Sequence, residues 1–254
     1  MKRLLCVLLC LCALVQPKSE PEKYAALTFD DGPSGRFTRR LLEGLAERDV
    51  QATFLLCGYR IKQYPELTRD ILQGGHEIGL HGYSHKCMSC MDAAAIRREI
   101  ADTRALLPEG CVPVFLRPPG GIVSETVRAE CREQGLSILS WSVDPKDWAT
   151  HDTGSVVRAV EAHTGDGDII LLHDMSDSSV DAALQILDDL TAKGFRFVTV
   201  SELARLRGTS VLPGQSYSRF PPAQTTIPGD RKTALSPRRR KIPLRRLCAA
   251  LRPG

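Results

Sequence analysis

From Tyr24 to Arg207 the chain alternates short apolar runs with amphipathic segments, and this alternation constrains its fold more than any other feature. The apolar runs read as strands over residues 25–29, 52–57, 77–80, 114–117, 137–143, 168–172 and 196–200. Between them, helical periodicity predicts helices over 38–47, 65–73, 92–107, 125–134, 154–163 and 180–193. The last places Ala182, Ala183, Ile186, Leu187 and Leu190 on one stripe, as a helix facing a core requires. Gly74-Gly75 and Gly194 are good helix stops. Such alternation predicts an α/β protein with a parallel sheet, either a closed or partly closed barrel or an open sheet. In both cases chemistry gathers where strands end.

The unusual polar residues fall at those ends. Asp30 and Asp31 close the first strand in Thr28-Phe29-Asp30-Asp31-Gly32-Pro33, and His81 and His85 follow the third in His81-Gly82-Tyr83-Ser84-His85. Arg117 ends the fourth, Asp144 follows the fifth and His173 follows the sixth. Adjacent carboxylates are costly unless a cation or a shared proton lies between them. One carboxylate with two imidazoles suits zinc or a similar divalent ion, and three protein ligands leave open positions for water and substrate. Asp31, His81 and His85 are the candidate ligands. If Asp31 binds the metal, Asp30 is free to act as general base, with Arg117 keeping it ionised. In Arg117-Pro118-Pro119-Gly120-Gly121 two prolines fix the backbone and two glycines let it pass close to a ligand. His173 ends a continuous apolar strand and is the candidate general acid, held by a carboxylate from the stretch containing Asp144 and Asp147. Trp148 and Leu171 supply apolar walls for a group as small as a methyl, while Trp141 reads as core. His76, His151 and His163 read as surface or loop residues.

Met1-Lys2-Arg3 followed by twelve apolar residues up to Val15 matches a secretory signal or an N-terminal anchor over residues 1–20. A membrane span needs about 20 such residues. The formal charge of +4 is uneven. From Gly208 onward ten basic residues face one acid, Asp230, so that stretch carries +9 and the rest −5. An acidic body gives no support to nucleic-acid binding. Residues 208–254 read as a disordered, basic, Pro/Arg-rich tail, suited to an anionic wall or membrane surface by charge attraction. Of nine cysteines, six lie beyond the leader, and their pairing stays open. Cys87-Met88-Ser89-Cys90 has zinc or redox spacing, but no second Cys-x-x-Cys completes a structural zinc site. A disulfide or free thiols are the plainer readings.

Five motifs in order, Thr28 to Pro33, His81 to His85, Arg117 to Gly121, Asp144 to Trp148 and Leu171 to His173, resemble those of the polysaccharide deacetylases of carbohydrate esterase family 4, the NodB-homology domain. Together they span nearly all of residues 24–207. The resemblance implies a distorted (β/α) barrel with seven parallel strands and one catalytic domain over residues 21–207. It also implies Asp30 as general base, His173 as general acid, Arg117 orienting the base, and Asp144 or Asp147 tuning His173. Asp31, His81 and His85 would hold one divalent ion, zinc first, with cobalt or another ion as alternatives. Pro118, Pro119, Gly120, Trp148 and Leu171 would line the substrate groove. The family removes acetyl groups from sugars. The reaction it implies here is N-deacetylation of N-acetylglucosamine in peptidoglycan by an exported monomer, with chitin oligomers or acetylated xylan as alternatives. A non-catalytic wall-binding module predicts a missing catalytic residue, and none is missing. One departure stands out: the third motif often has Tyr where this chain has Gly120, which leaves the groove wider or more mobile there.

Overall fold

The computed structural model describes residues 22–223. The expected leader and the basic run beyond residue 223 lie outside the described residues, as does Cys248.

The strands are β1 (Lys23–Asp30), β2 (Thr53–Leu56), β3 (Glu77–Leu80), β4 (Phe115–Leu116), β5 (Ser137–Leu139), β6 (Asp168–His173), β7 (Phe195–Phe197) and β8 (Ser216–Tyr217). They form one parallel sheet in the order β6-β1-β2-β3-β4-β5-β8, with β7 also on β1. Just past β5, an isolated parallel bridge joins Val143 to Ile170 of β6 and brings the two sides of the sheet together. The result is the distorted barrel that the family resemblance implies, with the two-residue β8 added beside β5 to the seven parallel strands expected. β1 is buried from Ala25 to Asp30, as a strand covered on both faces must be. Its register with β6 runs from Ala25↔Asp168 to Asp30↔His173, so two polar tips finish side by side.

The helices are α1 (Gly35–Glu47), α2 (Gly58–Gln63), α3 (Pro65–Gln73), α4 (Ala93–Arg104), α5 (Glu125–Glu133), α6 (Asp147–Thr150), α7 (Thr153–His163), α8 (Asp177–Ala192) and α9 (Val200–Leu206). Side-chain caps from Asp92, Ser124, Asp152 and Ser176 start α4, α5, α7 and α8. The predicted stripe of α8 is buried and packs in the main core with Leu41, Leu45 and Phe29. Leu80, Met88, Ile96, Ile100 and Leu116 belong to a separate cluster under β3 and β4.

Three expectations change. The last predicted strand stops at Phe197, because Thr199 turns the chain into α9 by accepting a hydrogen bond from the Glu202 N–H. Residues 208–223, read as tail, are ordered: β8 pairs with β5 and Phe220 is buried. The Phe220 N–H donates to the Gly167 carbonyl at 2.7 Å. A Cβ on Gly167 (φ 89°) would lie 2.0 Å from the Phe220 carbonyl oxygen, so glycine admits this segment. Finally, His76 is buried rather than exposed. Its Nδ1 accepts the Ala52 N–H at 3.2 Å, and burial pulls its pKa down to about 4.

Candidate active site

Asp30, Asp31, His81, His85, Gly120, Trp141, Asp144, Trp148, Leu171 and His173 line one cavity of about 360 Å³ at the strand ends. A roomier hollow of about 480 Å³ beside Leu42, Val50 and His76 brings no comparable ligand set together among the described residues.

Asp31 follows β1 in a left-handed conformation (φ 74°) that non-glycine residues rarely hold. The next residue must be small, since a Cβ on Gly32 would lie 2.7 Å from a carboxylate oxygen of Asp174. The turn carries Asp31 Oδ1 to 3.3 Å from His81 Nε2 and 2.9 Å from His85 Nε2. These three ligand atoms lie within 4.8 Å of one another. Asp31 Oδ1 is buried and makes no hydrogen bond of acceptable geometry, although two imidazoles face it. An orphaned buried carboxylate oxygen aimed at two ring nitrogens fits a shared divalent cation better than a hydrogen-bonded triad. Burial pushes the Asp31 carboxyl up, but the two imidazoles prevail and hold it well below the usual carboxylate range.

The two histidines are supported differently. His81 is buried, and its Nδ1 lies 2.7 Å from the Arg117 carbonyl oxygen. A carbonyl only accepts, so Nδ1 carries the proton and Nε2 presents its lone pair to the cavity. His85 is exposed on a left-handed turn (φ 57°). Its loop is held by Glu99 of α4, whose carboxylate accepts from the N–H groups of Tyr83 (2.6 Å) and Ser84 (2.8 Å) and from Ser84 Oγ (2.7 Å). Glu99 was not foreseen, because one acid within an amphipathic helix carries no sequence signal.

Arg117 is completely buried. Its Nη1 donates to Asp30 Oδ1 at 2.6 Å and to Thr28 Oγ1 at 2.9 Å, and its Nη2 donates to the Ser140 carbonyl at 2.9 Å. The Trp141 ring lies against the guanidinium, its centroid 5.5 Å away. Trp141, read as core from the sequence, therefore reaches both the arginine and the cavity. Gly121 makes this possible, since a Cβ there would lie 2.5 Å from the indole.

His173 Nδ1 pairs with Asp147 Oδ1 at 2.9 Å, and the His173 N–H donates to Asp147 Oδ2 at 2.8 Å. Asp147, at the start of α6, is thus the carboxylate that holds the ring. Asp144, the alternative, is exposed and accepts only the Lys146 N–H at 2.9 Å among the described residues, so it is a cavity-rim residue rather than a partner of His173. Burial pulls His173 down, but Asp147 and the charges of Asp30 and Asp31 raise its pKa to about 9. The neighbouring Asp174 is fully buried, and burial raises its carboxyl to about 6. Thr38 Oγ1 donates to Asp174, and the Asp174 carbonyl accepts from Ser34 Oγ, which ties the tip of β6 to the turn after Asp31.

Leu171 is buried at the cavity wall, while Trp148 is 59% exposed at its rim. Pro118 and Pro119, expected to touch substrate, are buried and stiffen the loop, leaving Gly120 (φ 71°) as its cavity-facing residue. A Cβ on Gly120 would meet nothing within 4 Å, so the place that a larger residue would fill is open.

The model of a polysaccharide deacetylase domain matches residues 17–139. A peptidoglycan-N-acetylglucosamine deacetylase of Bacillus cereus is 37% identical over 192 residues, covering 73% of this chain and 90% of that protein. Among solved structures, a T48 deacetylase with substrate has 36% identity and a TM-score of 0.73 over 78% of this chain and 97% of that one. A family 4 acetyl xylan esterase from Clostridium thermocellum, in complex with a cobalt ion, has 34% identity and a TM-score of 0.73, covering 78% of this chain and all of that one.

Proposed function

The chain belongs to the polysaccharide deacetylase family, and on that premise we propose that it hydrolyses the N-acetyl group of N-acetylglucosamine in peptidoglycan. The observation that carries the reading is a single cavity holding an arginine-paired carboxylate, an Asp-His-His ligand set and a carboxylate-held histidine. Peptidoglycan is favoured by similarity to the Bacillus cereus enzyme, nearly all of whose length is matched.

A divalent cation held by Asp31, His81 and His85, zinc by the donor set, would supply a Lewis acid that polarises the acetyl carbonyl. Asp30 accepts the proton of the attacking water. Its Oδ1 is occupied by Arg117, and its Oδ2 lies 3.8 Å from His81 Nε2, on the ligand side. His173 donates its Nδ1 proton to Asp147, so Nε2 is the atom that protonates the leaving nitrogen as the C–N bond breaks. Leu171 and Trp148 exclude water from the methyl group. Every one of these groups comes from one chain, which supports action as a monomer. The apolar run behind Lys2-Arg3 supports export, and the basic run after Asp230 supports adhesion to an anionic wall or membrane surface.

A second reading is O-deacetylation of xylan, favoured by the fold of the acetyl xylan esterase, which matches as closely as that of the T48 deacetylase. Acetate release from purified peptidoglycan, acetylated xylan and chitin oligomers, with and without chelator, separates the two. We expect release from peptidoglycan that chelation abolishes and that Asp30→Asn lowers by roughly 10²–10⁴-fold. Release from xylan alone would move the activity to the ester, and release unaffected by chelator would remove the metal from the reaction.

A further inference from the structure

The Cys87-Met88-Ser89-Cys90 motif is not used by the chemistry above. It forms a single 3₁₀ turn immediately after the ligand loop, in which the Cys90 N–H donates to the Cys87 carbonyl at 3.1 Å and the Met91 N–H to the Met88 carbonyl at 3.1 Å. The turn brings the two Sγ atoms within 2.7 Å of each other. Both cysteines are exposed, so an external reagent reaches them without unfolding. Between them Met88 is fully buried in the cluster under β3 and β4 and pins the turn in place. The other described cysteines offer no such pair: Cys57 and Cys131 are buried, and Cys111 is half-buried and unpaired.

His85 gives this placement a consequence. Its neighbour ligand His81 is fixed by a ring hydrogen bond from Nδ1 to the Arg117 carbonyl, whereas His85 faces Asp31 Oδ1 through Nε2 at 2.9 Å and has no protein hydrogen bond at Nδ1 among the described residues. Behind that contact, the position of the ring depends on its loop. That loop is tied on one side by Glu99 to Tyr83 and Ser84, and on the other it runs two residues to Cys87.

We propose that Cys87 and Cys90 form a reversible intramolecular disulfide that clamps the second side of the loop carrying His85. The co-reactant is an external disulfide. One cysteine thiolate attacks it, forming a mixed disulfide and releasing one thiol. The other thiolate then attacks the mixed disulfide, forming the Cys87–Cys90 bond and releasing the second thiol. Two protein thiols are oxidised and one external disulfide is reduced to two thiols, so electrons and protons balance. The link to His85 rests on the reading of Asp31, His81 and His85 as metal ligands; the disulfide itself does not.

The test equilibrates the full chain with glutathione redox buffers, then applies differential alkylation and peptide mass spectrometry. We expect one two-electron transition on the peptide holding both cysteines, absent from a Cys87→Ser/Cys90→Ser variant. Both thiols alkylated at every poise, or pairing of either with another cysteine, would overturn the proposal. Hydrogen exchange on the same samples, stripped of metal by a chelator, reads the clamp directly. Amides of residues 82–91 should exchange roughly tenfold more slowly when oxidised, with no such change in the double variant. Equal exchange in both redox states would overturn the clamp. Loss of bound zinc to a chelator should be several-fold slower from the oxidised protein. A zinc-free protein in both states, with the thiol transition intact, would refute the metal reading and with it the link to His85, while the disulfide would stand.

Discussion

At the scale of single residues, Arg117 bears a full charge with no solvent contact, and Asp30, Thr28 and Ser140 receive it. A buried ion pair of this kind adds little net stability over an apolar core, but breaking it leaves the surviving charge stranded. Arg117→Met should therefore destabilise the protein by about 3–5 kcal/mol, read from urea unfolding. A loss below about 1 kcal/mol would mean that water or another cation reaches Asp30. His173 makes a prediction in pH. Its pKa is raised to about 9, so the protonated acid is present below that value and activity falls as pH climbs through it. The stability gained from the Asp147 pair follows the same sign, complete below the 6.5 of an ordinary imidazole and lost as pH rises toward 9. Asp147→Asn removes the charge and should move the alkaline limb of kcat downward. An unmoved limb would assign it to another group.

At the scale of elements, the six-residue register between β1 and β6 places Asp30 beside His173, and the bridge from Val143 to Ile170 joins β6 to the chain beyond β5; the carbonyls of Leu139, which ends β5, and of Ser140 face Arg117. The segment after α9 belongs to this body. Phe220 is buried with Ala26, Leu139 and Ile169, stacks on Tyr217, and lies beside the Arg219–Asp168 ion pair. Phe220→Ala should cost about 3–5 kcal/mol, the usual loss for an aromatic removed from a core. Thermal unfolding unchanged by this substitution would show that the segment is not part of the cooperative unit.

At the scale of the whole molecule, the proposed cation site of Asp31, His81 and His85 would join the turn after β1 to the loop after β3, so filling it should stabilise the fold as a unit. Free zinc at about one hundred times its Kd should add about 2.7 kcal/mol to the unfolding free energy. Asp31→Ala should abolish that gain, and a chelated wild type should melt like the variant. Zinc stabilisation that survives in Asp31→Ala would place the metal elsewhere. The proposed Cys87–Cys90 clamp would act beside it, by holding the chain two residues after His85.

The sequence alone determined the strand–helix alternation and the placing of polar residues at strand ends. Both are local: an apolar run or a helical stripe is written in consecutive residues, and Asp30-Asp31 needs no partner to be conspicuous. Which residues meet was decided only by the tertiary structure. Asp144 and Asp147 are equivalent in sequence, and only the start of α6 turns Asp147 toward His173 and leaves Asp144 at the rim. Glu99, Trp141 and Asp174 gain their roles from packing across elements, with contacts to residues distant in the chain. The fate of residues 208–223 was hidden for the same reason. Two paired residues and one buried phenylalanine make no periodic pattern, and they hold because β5 and Gly167 receive them.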